Sequence, residues 1–231
     1  AYADLDNDTK LETAISSASN IVVPLFFVMG SDGKPSPASE SMLKSAIVTQ
    51  QLLSGQENAA ELIHSAQAIA PLERFLSVAR GLGHVNIEPD SDGSMRRELA
   101  AISYGDHTFA SFAVELARHY LGLNAEDVMV NPGESLLLGS TMIALDHRSS
   151  FALTFNKPMS AFQTYSFFDV VNGKIAPEAF NNKIVLVGPT AAGIGSSYVT
   201  PVAPNMAAVE IVANVIDNLI QKRFLNRPGW A

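Results

Sequence analysis

At 231 residues, with 47% hydrophobic and 16% charged side chains, the chain has the composition of a folded domain with a sizeable core and not that of a disordered segment. A formal net charge of -8 and a pI near 5.0, with Lys and Arg scattered, exclude nucleic acid as a partner, because phosphate binding needs clustered cations that displace counterions. There is no cysteine, which excludes disulfides, thiolate metal sites and a cysteine nucleophile.

Leu11, Ala14, Ile15 and Ala18 share one helical face, and Thr9 with Glu12 is expected to form a capping box at its start. The apolar run Ile21 to Met29 is too short to span a bilayer and contains Pro24, so it predicts a strand covered on both faces. Gly30 to Ser39 reads as a loop, broken by Asp32-Gly33, Pro35 and Pro37. Helices are expected over Ser41 to Leu53 and Ala59 to Ala70, and again from Pro71 to about Gly81. Gly83 to Glu88 and Ser94 to Ser103 then read as the strands of a β-hairpin turning at Pro89 to Gly93. Phe109, Phe112, Leu116 and Tyr120 mark an amphipathic helix closed by Gly122.

Short strands follow at Ser135 to Leu138, Thr141 to Leu145 and Phe151 to Phe155. The last third reads as a helix over Tyr165 to Val171, a strand over Lys183 to Gly188 and a long helix over Met206 to Gln221. The apolar stripe of that helix is Val209, Val212, Ala213, Ile216, Leu219 and Ile220, with Glu210 and Asn214 on the opposite face. The expected architecture is one α/β domain over residues 1–231, a mixed sheet with helices on both faces and a β-hairpin insertion around Asp90 to Gly93.

Candidate chemistry is sparse. Asp90-x-Asp92-Gly93 could open a calcium loop, but Ser94, Met95 and Ala101 stand where that loop needs an oxygen ligand, a glycine and a distant carboxylate. A structural turn of Asp90, Asp92 and Gly93 is favoured, with Arg96 or Arg97 reaching back to an Asp. Gly188 to Gly195 follows a strand, yet Ile194 replaces the lysine of a phosphate-binding loop and Pro201 and Pro204 precede the next helix. Ser41 and Lys44 have the spacing of a Ser-Lys hydrolase pair, without its companion motifs. No two histidines fall four residues apart, and no metal or cofactor is expected.

Two clusters resemble the type-2 CHASE family of extracellular sensory domains. The first is Gly83-His84-Val85-Asn86 with Asp90-Ser91-Asp92-Gly93-Ser94-Met95-Arg96-Arg97. The second runs from Ser166-Phe167-Phe168-Asp169-Val170-Val171-Asn172-Gly173 through Lys183 to Gly188, Thr190-Ala191 and Thr200-Pro201 to Val209-Glu210-Ile211 and Ala213-Asn214. The resemblance is clearest from Gly83 to Trp230; earlier it rests on Asp8, Leu11 and the strand from Ile21. Where the family usually has an Asp, a Gly and a His near the second cluster, this chain has Ser196 or Ser197, Ala208 and Val212. The family also normally begins with a further strand and helix, which have no counterpart here, and an uncovered sheet edge would invite pairing with another chain.

The resemblance implies a non-enzymatic, extracytoplasmic input domain of a membrane receptor that drives a cyclase or kinase. Ala1, which is neither an initiator Met nor part of a signal-like segment, is expected to follow further residues. Lys222, Arg223, Arg227 and Trp230 would suit approach to a membrane interface. The expected ligand-facing residues are Thr190, Ser196, Ser197, Thr200, Glu210 and Asn214. The expected partners are a small-molecule or protein stimulus and a second copy within a homodimeric receptor. Two other readings fit the residues: a ligand-free dimerisation or interaction module, and a periplasmic hydrolase.

Overall fold

The computed structural model describes residues 6–30, 33–50, 61–155, 162–191 and 193–225. Helix α1 (Asn7–Ala18) is capped by Asp6, whose carboxylate accepts from the Thr9 N–H at 3.0 Å and the Thr9 hydroxyl at 2.6 Å. Asp6 therefore takes the role expected of a Thr9–Glu12 box, and Glu12 instead pairs with Arg74 at 2.6 Å. Strand β1 (Val22–Met29) alternates rather than being covered on both faces: Leu25 and Phe27 are 2% and 0% exposed, Phe26 is 41% exposed.

Helix α2 (Glu40–Leu43) lasts one turn, and the longer helix expected to Leu53 gives way to strand β2 (Ala46–Thr49). The β-branched run Ile47-Val48-Thr49 explains the change, while Leu53 itself lies outside the described residues. Strand β3 (His64–Ile69) likewise replaces the helix expected over Ala59 to Ala70, of which Ala59 lies outside the described residues. Ala and Gln favour a helix locally, but here strands on both sides offer backbone partners, and Ser65 Oγ donates to the Val28 carbonyl at 2.9 Å. Helix α3 (Glu73–Val78) follows Pro71, and strand β4 (Gly81–His84) runs parallel to β1.

The turn at Asp90 forms, with the Gly93 N–H donating to the Asp90 carbonyl at 2.8 Å and Gly93 at φ +80°. Its flanks do not pair as the expected hairpin. The returning chain divides into β5 (Arg97–Leu99) and β6 (Ala101–Tyr104), which join different sheets, and the Met95 N–H is taken by the Val199 carbonyl at 2.7 Å. A hairpin instead joins β6 to β7 (His107–Ala110) through Gly105-Asp106, so Phe109 is a strand residue and not the start of the next helix. That helix, α4 (Phe112–Tyr120), begins at Ser111, whose Oγ accepts from the Val114 N–H at 3.3 Å.

A meander of β8 (Val128–Asn131), β9 (Ser135–Leu138) and β10 (Thr141–Ala144) precedes β11 (Ser150–Ala152), which pairs with β5. Helix α5 (Phe167–Val171) is short and exposed. The strand expected over Lys183 to Gly188 joins no sheet: among the described residues no backbone hydrogen bond reaches it. Its alternation survives, with Ile184 and Leu186 packed on the core and Val185 and Val187 51% and 78% exposed. Strands β12 (Ser197–Thr200) and β13 (Ala203–Ala207) form a hairpin that leads into α6 (Ala208–Gln221).

The main sheet has nine strands in the order β10-β9-β8-β2-β7-β6-β3-β1-β4 and is mixed, with parallel pairs β1–β4, β2–β8 and β3–β6. Helices lie on both faces near β4. Leu82 packs with Leu76 of α3 and Met42 of α2, whereas Gly81 and Gly83, pointing the other way, lie against α4. No helix among the described residues is long and apolar enough to cross a membrane.

Candidate functional site

The buried face of α6 is turned relative to the expected stripe. Ile211, Val215, Ile216 and Leu219 enter the core, and with them Asn214 at 3% and Asn218 at 0% exposure, while Val209, Val212 and Ala213 are half-buried. Asn214 therefore lies inside rather than opposite the apolar face. Two buried amides are tolerated because their hydrogen bonds are made. Asn218 accepts from the Thr154 N–H at 2.8 Å and donates to the Thr154 carbonyl and the Asn214 carbonyl, both at 2.7 Å. Asn214 donates to the Glu210 carbonyl at 2.9 Å. Asn218 thus grips the backbone just past β11 like a neighbouring strand; in the sequence it stands between Asp217 and Leu219, outside the expected stripe, and nothing local marks it as buried.

The N-terminal end of α6 is tied to the segment before it. The Ala208 N–H donates to the Ser196 carbonyl at 3.0 Å, and Gly188 lies so close that an added Cβ would meet Val209 Cβ at 2.9 Å. Ser197 pairs with Ala207. The Thr200 hydroxyl is engaged with its own turn, bonding both the carbonyl and the N–H of Ala203 at 3.1 Å. Thr190 is exposed on the loop, and Glu210 is half-buried on the first turn of α6. The six expected ligand-facing residues are thus spread between a loop, a hairpin and a helix. Gly193 takes φ +81°, and the N–H groups of Ile194 and Gly195 close back on the Ala191 carbonyl. Those donors are therefore used within the loop rather than offered to a phosphate.

The first motif cluster meets the second through the main chain. Arg96 forks onto Asp92 at 2.9 and 2.7 Å and also reaches Asp90 at 2.9 Å, and Asp92 accepts from the Ser94 N–H at 2.9 Å. Hydrogen bonds from Arg96 and from the Ser94 backbone hold the Asp92 carboxyl well below the usual carboxylate range. Ser94 bridges to Val199, and Met95 donates to the same residue, so the braced turn is stitched directly to β12. An open cleft of about 240 Å³ lies on this turn, lined by residues that include Asp90, Arg97, Asp146, His147 and Arg148. Arg97 spans Asp146 at 2.6 Å and Asp90 at 3.8 Å there, and Arg148 pairs with Glu88.

The buried ionisable groups include His84, Glu98 and Glu115. Burial pushes the His84 imidazole down to about 3, and both its ring nitrogens are without partners. Burial pushes Glu98 up to about 8, opposed in part by the Ser111 hydroxyl. Burial alone would raise Glu115, but hydrogen bonds from Arg118 and His119 outweigh it and hold the carboxyl below its ordinary value. Arg118 contacts it at 2.6 Å, His119 at 3.1 Å and Ser45 Oγ at 3.1 Å. The proposed Ser-Lys pair is not assembled: Ser41 is hydrogen-bonded to Glu73, and Lys44 Nζ donates away to the Ser77 carbonyl at 3.0 Å. Among the described residues no three His, Asp or Glu side chains are placed to hold a metal ion. Arg227 and Trp230, the expected interface residues, lie outside the described residues.

The structure is that of a mixed α/β domain whose ion pairs and side-chain hydrogen bonds brace turns and helix ends. The family model of the CHASE2 domain matches residues 2–231, so the chain belongs to the CHASE2 family, a family of non-catalytic sensory domains found as extracellular parts of membrane receptors. Comparison with curated proteins gave no match, and comparison with solved structures gave none either.

Proposed function

We propose that this domain receives an extracytoplasmic stimulus and passes it, through α6, to a cytoplasmic cyclase or kinase in the same receptor. The observation that carries the reading is the unbroken chain of main-chain and side-chain contacts from the Asp90 turn to α6. The turn is braced by Arg96, Met95 is bonded to Val199, β12 pairs with β13, and β13 runs into α6 without a linker. A shift at one end of such a path moves the other, because packed elements change arrangement as units. Any stimulus must bind two states of this path unequally to move it, whether it is a small molecule or a protein.

The ligand-free dimerisation reading is favoured by one observation, the run Lys183 to Val187, whose exposure alternates as along a strand and which has no backbone hydrogen bond among the described residues. The hydrolase reading has the separate engagement of Ser41 and Lys44 against it. The sensory reading is tested by replacing Thr190 and Glu210 with Ala, one at a time, in the full receptor. Effector output per receptor is expected to change in at least one variant; wild-type output from both, at equal protein level, would contradict a relay through this end of the domain.

A further inference from the structure

We propose that Lys183 to Val187 is the dimer contact of this domain, pairing antiparallel with the same segment of a second copy. The inference rests on the receptor reading only for its purpose; the contact itself is argued from the segment. Over these five residues exposure alternates as it does along a strand, and no backbone hydrogen bond to them is found among the described residues. A strand-like run in that condition presents donors and acceptors that either water or another strand can take up, the state that sheets otherwise cover or blunt. The usual blunting devices stand only at its ends, Lys183 at the start and Pro189 beyond Gly188. The outward side chains are Val185 and Val187, there is no acidic residue in the run, and its one charge is Lys183 at the end.

The occupant is chosen by self-complementarity. Pairing centred on Val185 sets Ile184 opposite Leu186 on the core side and Lys183 opposite Val187 on the outer side. The two lysines then stand four positions apart, roughly 13 Å at the rise of a strand, so they do not repel across the ladder. Centring one residue later would set Lys183 against Pro189, which has no N–H, and Ile184 against Gly188, which has no side chain. A segment whose one charge is a lysine also lets two molecules of net charge -8 approach where no carboxylate adds to their mutual repulsion. The contact lies one residue from Gly188, which touches Val209, so strand pairing and the position of α6 are mechanically adjacent.

The absence of cysteine makes the test direct. In the isolated chain, Val185→Cys is expected to oxidise to a disulfide dimer, because the residue meets its own copy across the two-fold axis. Met142→Cys on β10, more exposed than Val185 at 74% against 51%, serves as the control for random collision. Val187→Lys, at an exposed position that the fold does not depend on, is expected to shift sedimentation from dimer to monomer. A chain that is monomeric in sedimentation, or Val185→Cys linking no faster than Met142→Cys, overturns the contact, as does a dimer that Val187→Lys leaves intact. These outcomes are read without an effector, so they fail or succeed separately from the relay tested through Thr190 and Glu210.

Discussion

Two single residues set opposite pH limits on this domain. The folded state holds the His84 pKa below its ordinary 6.5, at about 3, so the stability it contributes is complete above 6.5 and is lost as pH falls from 6.5 towards 3. For Glu98 the folded pKa is raised from 4.5 to about 8, so its contribution is complete below 4.5 and is lost as pH rises from 4.5 towards 8. Between 4.5 and 6.5 the two slopes oppose each other, and denaturant unfolding across pH is expected to give a plateau there with a fall on either side. Glu98→Gln is expected to remove the alkaline fall and keep the acidic one; an alkaline fall that persists in this variant would assign it elsewhere. At Glu115, removing the partner through Arg118→Met strands a buried carboxylate, and a loss of about 3–5 kcal/mol is expected in equilibrium unfolding. Residues of this kind were only partly legible. The Glu115–His119 pair follows from helical spacing, but burial of His84, Glu98 and Asn214 depends on which neighbours cover them, and that is set by elements far along the chain.

Elements were legible where local pattern and tertiary setting agree. The turn at Asp90 to Gly93, the strands β9 and β10 and the helices α1, α4 and α6 carry their own caps, glycines or periodicity. Ala46 to Thr49 and His64 to Ile69 lie within stretches that read as helix locally yet are strands, because the deciding interaction is a backbone partner far along the chain: Val130 and Phe109 flank β2, and β1 and β6 flank β3. The hairpin expected around Asp90 fails for the same reason, its return strand being claimed by Val199. Close packing of elements gives a further test. A Cβ at Gly83 would stand 2.6 Å from Phe112 Cα, and backbone cannot yield as a side chain end does. Gly83→Ala is therefore expected to cost about 1–3 kcal/mol by forcing α4 off β4, read as a lowered unfolding midpoint. Asn218→Leu, which leaves Thr154 without its amide partner, is expected to cost a similar amount, about 1–3 kcal/mol, despite added apolar volume.

At the scale of the whole molecule, the family resemblance visible in two short clusters extends over residues 2–231, and the structure adds how those clusters meet. The Asp90 turn, the β12–β13 hairpin and α6 form one path, with the Lys183 to Gly188 segment laid against its last member. A sensory domain needs such a path to be stiff along its length and able to take two positions at its end. Gly188 is the position at which that end can be disturbed without touching the core, since its added Cβ would press Val209 at 2.9 Å. The most direct measurement is effector output of the intact receptor carrying Gly188→Ala, normalised to receptor amount and accompanied by a thermal melt of the isolated domain. Displacement of α6 is expected to change basal output in a domain that still melts cooperatively; unchanged output from a folded domain would contradict α6 as the route by which this domain speaks to its effector.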